Sequence, residues 1–94
     1  MGFIQKTINP GHRLGADLVE LREKAGLNRA QASRLTKIPE YLIRTLEEER
    51  WDEIHDPVYF EHLYKNYLSL LGANQNYYIQ KYQECLKQYY QKRK

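Results

Sequence analysis

Few of the 94 residues carry side chains suited to covalent or metal chemistry. His12, His55, His62 and the lone Cys85 are the nitrogen and sulfur ligands on offer. A structural zinc site wants four such groups in closely spaced pairs, and these are scattered. Solvated or capping histidines are therefore expected, with no metal and no cofactor. No serine–histidine–aspartate arrangement, glycine-rich phosphate loop or converging carboxylate pair stands in the sequence, so no enzyme is expected. Cys85 reads as a small buried hydrophobe, and a single cysteine allows no internal disulfide, which makes a reducing cytosol the default. The remaining chemistry is that of surfaces: 15 Lys and Arg, 12 Asp and Glu, and nine tyrosines. Such side chains bind rather than transform.

Their order along the chain matters more than the net charge of +3. Residues 1–46 hold eight bases and four acids, residues 47–61 seven acids and Arg50, and residues 62–94 six bases and Glu84. A nucleic-acid binder keeps its recognition surface basic, and here the middle of the chain is strongly acidic. The length allows one domain at most. No apolar run is long enough to span a membrane or to form a secretory leader.

Helices must position these groups, since no strand-like alternation occurs. Asn9-Pro10-Gly11 marks a turn after a short arm over residues 1–13. Leu14, Leu18, Leu21 and Ala25 make one helical stripe, ended by Gly26. Asn28 caps a second helix over 29–36, packed through Ala32 and Leu35. Pro39 fits the first turn of a third helix with Leu42, Ile43 and Leu46 on its apolar face. Trp51 and Ile54 read as apolar plugs in a loop. Asp56-Pro57 starts a fourth helix that Gly72 stops. Asn74 or Asn76 caps a fifth, to about Tyr90, with Ile79, Tyr82, Leu86 and Tyr89 as its stripe. The expected architecture is an all-α, five-helix domain over residues 14–90, with a basic tail at 91–94.

Two short helices joined tightly behind an amphipathic first one form a helix-turn-helix pattern. Gly26-Leu27-Asn28-Arg29, Thr36-Lys37-Ile38 and Leu46-Glu47 resemble the phage-repressor type of that domain. The resemblance implies an ion pair between Arg22 and Glu47. A longer ordered set resembles the RodZ-type helix-turn-helix domain: Leu14-Gly15, Arg22-Glu23, Tyr41-Leu42, Leu46-Glu47-Glu48, Trp51, Pro57-Val58-Tyr59, Tyr67 and Leu71-Gly72. Members of that family are cytoplasmic parts of bitopic bacterial membrane proteins that bind the actin-like filament protein MreB. The resemblance thus implies a cytoplasmic cell-shape module at the inner membrane, within a longer protein. Three positions depart from the pattern: Glu49 and His62 stand where glycine is usual, and His55 where proline is frequent.

Two partners compete for this scaffold. In DNA-binding relatives the third helix reads base edges, which maps onto Glu40, Tyr41, Arg44 and Thr45, with Arg29 facing a phosphate. The acidic run after that helix opposes such binding. On the fourth helix, Phe60, Tyr64, Tyr67 and Leu71 form a core arc, and Tyr59, Leu63 and Leu70 widen it beyond what one neighbour covers. Either the fifth helix or the Met1–Ile8 arm covers that surplus, or it is a protein-docking strip bordered by His62 and Asn66. The expected function is protein docking on an MreB-like filament; the alternative is a small DNA-binding regulator. The basic tail is either a solubilising end or, if a span follows in the parent protein, a contact to anionic lipid. No small-molecule substrate is expected.

Overall fold

The computed structural model describes residues 13–93, and over them the chain is all-helical. Five α-helices follow one another: α1 (Leu14–Lys24), α2 (Arg29–Thr36), α3 (Glu40–Glu47), α4 (Pro57–Leu71) and α5 (Gln75–Arg93). A single 3-10 turn, Trp51–Glu53, lies between α3 and α4. Helices α2 and α3 are the helix-turn-helix pair; α1 packs on α3, α4 packs on α2, and α5 packs on α4 and reaches back to α1.

The helix ends follow local chemistry. Asn28 accepts from the Gln31 backbone N–H, while the Gln31 side chain accepts from the Asn28 N–H, a reciprocal capping box. Asp56 caps α4 through the Tyr59 N–H, and Asn74 accepts from the Tyr77 N–H. The α4 helix ends on Gly72 in the left-handed conformation. Pro39 is the residue before α3 rather than part of its first turn, and α5 continues three residues past Tyr90. The arm over residues 1–12 lies outside the described residues.

Gly15 is required by proximity: a Cβ there would sit 2.1 Å from the Glu47 carbonyl oxygen. The start of α1 therefore rests directly on the end of α3. Glu49 completes this junction. Its backbone takes a left-handed φ of 56°, the conformation that explains why glycine is usual at this position in the family the chain resembles. Its carboxylate accepts from the Gly15 N–H at 2.9 Å and pairs with Arg13 at 3.3 Å. The glutamate thus offsets its backbone strain by capping α1, whose own N-cap residue, Arg13, makes no side-chain cap.

The core joins Leu18, Ile43 and Leu46 to an aromatic layer from α4 and α5. Tyr82 lies at its centre, 5.0 Å from the Tyr64 ring and 6.1 Å from both Trp51 and Phe60. Three tyrosines are fully buried rather than spread over helix faces, and each hydroxyl has a partner. Tyr64 donates to the Tyr78 carbonyl, Tyr82 to the Pro57 carbonyl and Tyr67 to Glu47. A phenol supplies aromatic bulk with a polar end that must be satisfied, and here it is satisfied every time. Burial pushes all three phenols far above their ordinary pKa.

Two packing expectations are corrected. Ala25 is exposed, because α1 ends at Lys24 and Ala25 is its C-cap, past the packed turn. Leu35 is 63% exposed: Ala32 alone anchors α2 fully, and Leu35 lies on the flank between α2 and α4. Trp51 and Ile54 are both buried, as their reading as plugs requires.

Candidate protein-docking and nucleic-acid surfaces

The four N-terminal helices converge on one carboxylate. Arg22 of α1 donates to Glu47 through Nε at 2.7 Å and Nη2 at 3.0 Å, a two-point contact. Its Nη1 donates to the Leu27 carbonyl at 2.9 Å, which ties the turn before α2 to the same site. Arg29 of α2 donates to Glu47 at 2.8 Å, and the Tyr67 hydroxyl of α4 donates at 2.5 Å. Burial alone would raise the Glu47 pKa. The Arg22, Tyr67 and Arg29 hydrogen bonds outweigh it and hold the carboxyl below its ordinary value. The resemblance implied the Arg22–Glu47 pair; Arg29 and Tyr67 have no signal in local spacing, since they meet Glu47 only once α2 and α4 are packed.

This network changes the proposed DNA face. Arg29, expected to meet a phosphate, is held by Glu47 and lies 3.4 Å from Glu48. A phosphate would have to compete with a buried carboxylate for it. Thr45, expected to read a base, is fully buried. Its hydroxyl lies 2.9 Å from the Tyr41 carbonyl and 3.1 Å from a Glu53 carboxylate oxygen, so it points into the protein. That expectation fails because Thr45 occupies the inner face of a helix only two turns long. Glu40, Tyr41 and Arg44 do come together, with Arg29, around one shallow surface pocket. Tyr41 is 59% exposed there.

On α4 the inner face holds three of the four expected residues, Phe60, Tyr64 and Tyr67; Leu68, not named from the sequence, is buried with them, and Leu71 is only half-buried at the end of the helix. Helix α5 covers one flank, where Gln83 donates to Glu61 at 3.1 Å. The opposite flank carries Tyr59, Leu63, Asn66 and Leu70. Leu63 and Leu70 are half-buried against the core, Asn66 and His62 are exposed, and Tyr59 is 59% exposed. Sequence reasoning missed Val58, at 82% the most exposed large apolar side chain among the described residues. Its wheel position, opposite Phe60 and Tyr64, carried that information. The Leu63–Leu70 part of the strip is thus partly internal packing, and the open apolar surface is concentrated at the first turn of α4.

At that turn stands exposed Asp56, and Asp52 is exposed in the 3-10 turn before it. Glu48 and Glu53 are partly neutralised by Arg50, at 2.8 and 3.4 Å. The Arg50 hydrogen bond holds the Glu48 carboxyl below its ordinary range. Among the described residues, no group of His, Cys, Asp and Glu side chains converges to hold a metal. His55 and His62 are exposed, and His12 lies outside the described residues. Cys85 is half-buried on α5, and burial pushes its thiol pKa up. No described helix is long and apolar enough to cross a membrane.

A family model described as a helix-turn-helix domain matches residues 17–77, from the first turn of α1 into the start of α5. The match agrees with a RodZ-type, phage-repressor-like helix-turn-helix domain. No curated protein and no solved structure shows significant similarity to the chain.

Proposed function

The chain belongs to the helix-turn-helix domain family, and from that premise we propose that it is a non-catalytic protein-docking module acting on an MreB-type actin-like filament. The observation that carries this reading is the first turn of α4. Val58 and Tyr59 are open to solvent there, on a rigid, capped helix whose inner face is fully packed. Exposed aromatic side chains on rigid elements make effective interface anchors, because they bury much area at little entropic cost. The strip continues through His62, Leu63, Asn66 and Leu70, and the RodZ resemblance supports a partner at this part of the domain. Asp56 stands at the anchor and favours a basic rim on the partner. In a longer parent protein, such a module would sit on the cytoplasmic side of the membrane.

A second reading rests on the Glu40, Tyr41 and Arg44 cluster, which would contact DNA as a helix-turn-helix regulator does. Arg44 would donate to guanine and Glu40 accept from cytosine. Three features weigh against it: Arg29 is occupied, Thr45 is buried, and Glu48 stands beside the expected path of the phosphates. The two readings separate in one experiment. Purified chain is sedimented with MreB-type filaments, and in parallel titrated into a random-sequence DNA pool. Docking predicts co-sedimentation that Tyr59→Ala abolishes and Arg44→Ala leaves intact. Selective DNA binding lost on Arg44→Ala, without co-sedimentation, reverses the assignment.

A further inference from the structure

We infer that this chain associates with copies of itself head to tail, the first turn of α4 on one copy seating in the α2–α4 groove of the next. The inference goes beyond the docking reading and does not need it. The two surfaces are both present on one molecule and are complementary in shape class and charge.

The protruding surface is Val58 and Tyr59, 82% and 59% exposed, beside exposed Asp56, which caps the helix through the Tyr59 N–H. The receiving surface is an open groove lined by Leu35, Thr36, Asn66, Ser69 and Leu70. Leu35 is 63% exposed at its edge. Two exposed bases adjoin its lining residues in the chain: Arg34 precedes Leu35, and Lys37 follows Thr36 at the end of α2. An apolar knob beside an acid thus meets a groove with leucines at Leu35 and Leu70 and polar Thr36, Asn66 and Ser69 between them, beside exposed bases.

Within one molecule the two cannot meet. Tyr59 and Leu70 lie on the same rigid helix, about 17 Å apart at 1.5 Å per residue. The knob must therefore find the groove of another copy. Because the two patches differ, the contact is heterologous, and each added copy presents a fresh knob or groove. Growth does not stop at a dimer unless the rotation closes a ring. The patches are small and the charges exposed, so the association is weak and salt-sensitive. A protein partner on the α4 strip would compete with it.

The test is sedimentation equilibrium of the chain alone over a wide concentration range, at low and high salt. The weight-average mass should rise above 11.4 kDa with concentration, pass the dimer, and fall back as salt rises. Val58→Asp and Leu35→Glu alter exposed residues, and circular dichroism should show full helix content for both. Each alone should remain monomeric. Mixed in equal amounts they should form dimers and nothing larger, since one retains the groove and the other the knob. Tyr59→Ala should weaken assembly about tenfold or more. A mass that stays at the monomer value throughout, a limit at the dimer, or a mixture of the two variants that remains monomeric would each overturn the inference. None of these results bears on filament binding, which is measured separately.

Discussion

Glu47 is the residue on which the domain's internal order depends. Its carboxylate is buried and held by two arginines and a phenol from three other helices. Removing one partner of a buried ion pair leaves the other charge uncompensated, at about 3–5 kcal/mol. Glu47→Ala should cost that much in chemical denaturation. Glu49 gives the contrast. Its carboxylate caps Gly15, but its backbone is left-handed, so Glu49→Ala should cost about 1 kcal/mol and Glu49→Gly less, because glycine relieves the φ strain. Equal effects of Glu47→Ala and Glu49→Ala would contradict the network. The pH dependence follows from the same residue. The folded pKa of Glu47 lies below the unfolded value of about 4.5. Its stabilisation is therefore fully present above that value and is lost as pH falls through the folded pKa. Melting temperature measured from pH 6 downward should decline below about pH 5, and Glu47→Gln should flatten that part of the decline. The Arg22–Glu47 pair was legible only through the family resemblance; Arg29 and Tyr67 were not, because only tertiary packing brings them to Glu47.

At the scale of elements, α4 puts an exposed residue and a core residue side by side. Tyr59 is largely exposed and Phe60 is 5% exposed. Phe60→Ala should cost about 3–5 kcal/mol of folding free energy, the range for truncating a buried aromatic. Tyr59→Ala should stay within about 0.5 kcal/mol, as exposed substitutions do. Thermal unfolding of the two variants checks this directly, and comparable losses would make Tyr59 part of the core. Helix limits were legible where a cap residue announces them: Asn28, Asp56 and Gly72 each stand where the sequence puts them. Side-chain exposure was less legible. Leu35 and Leu63 are the same residue type at plausible helical positions, yet one is open and the other half-buried. The difference depends on how closely α2 approaches α4, which periodicity within a single helix does not encode. Thr45 failed for a related reason: it lies on the core-facing side of α3 with Ile43, Leu46 and Glu47, a rotation that only packing against its neighbours sets.

For the whole molecule, charge placement favours protein over DNA. The acidic residues gather between α3 and α4, next to the surface a nucleic acid would need, and Arg29 is consumed internally. Any DNA affinity should be weak, independent of sequence, and lost steeply as salt rises. Fluorescence anisotropy at roughly 50 and 200 mM salt checks this; nanomolar, sequence-selective binding that Arg44→Ala removes would contradict it. The most direct measurement is affinity for an MreB-type filament protein, taken for the wild-type chain and for Tyr59→Ala with its melting temperature recorded alongside. The account predicts that the wild type binds and that Tyr59→Ala, still folded and melting with the wild type, loses at least about 30-fold in affinity. Absence of wild-type binding, or a folded Tyr59→Ala that binds undiminished, would contradict it.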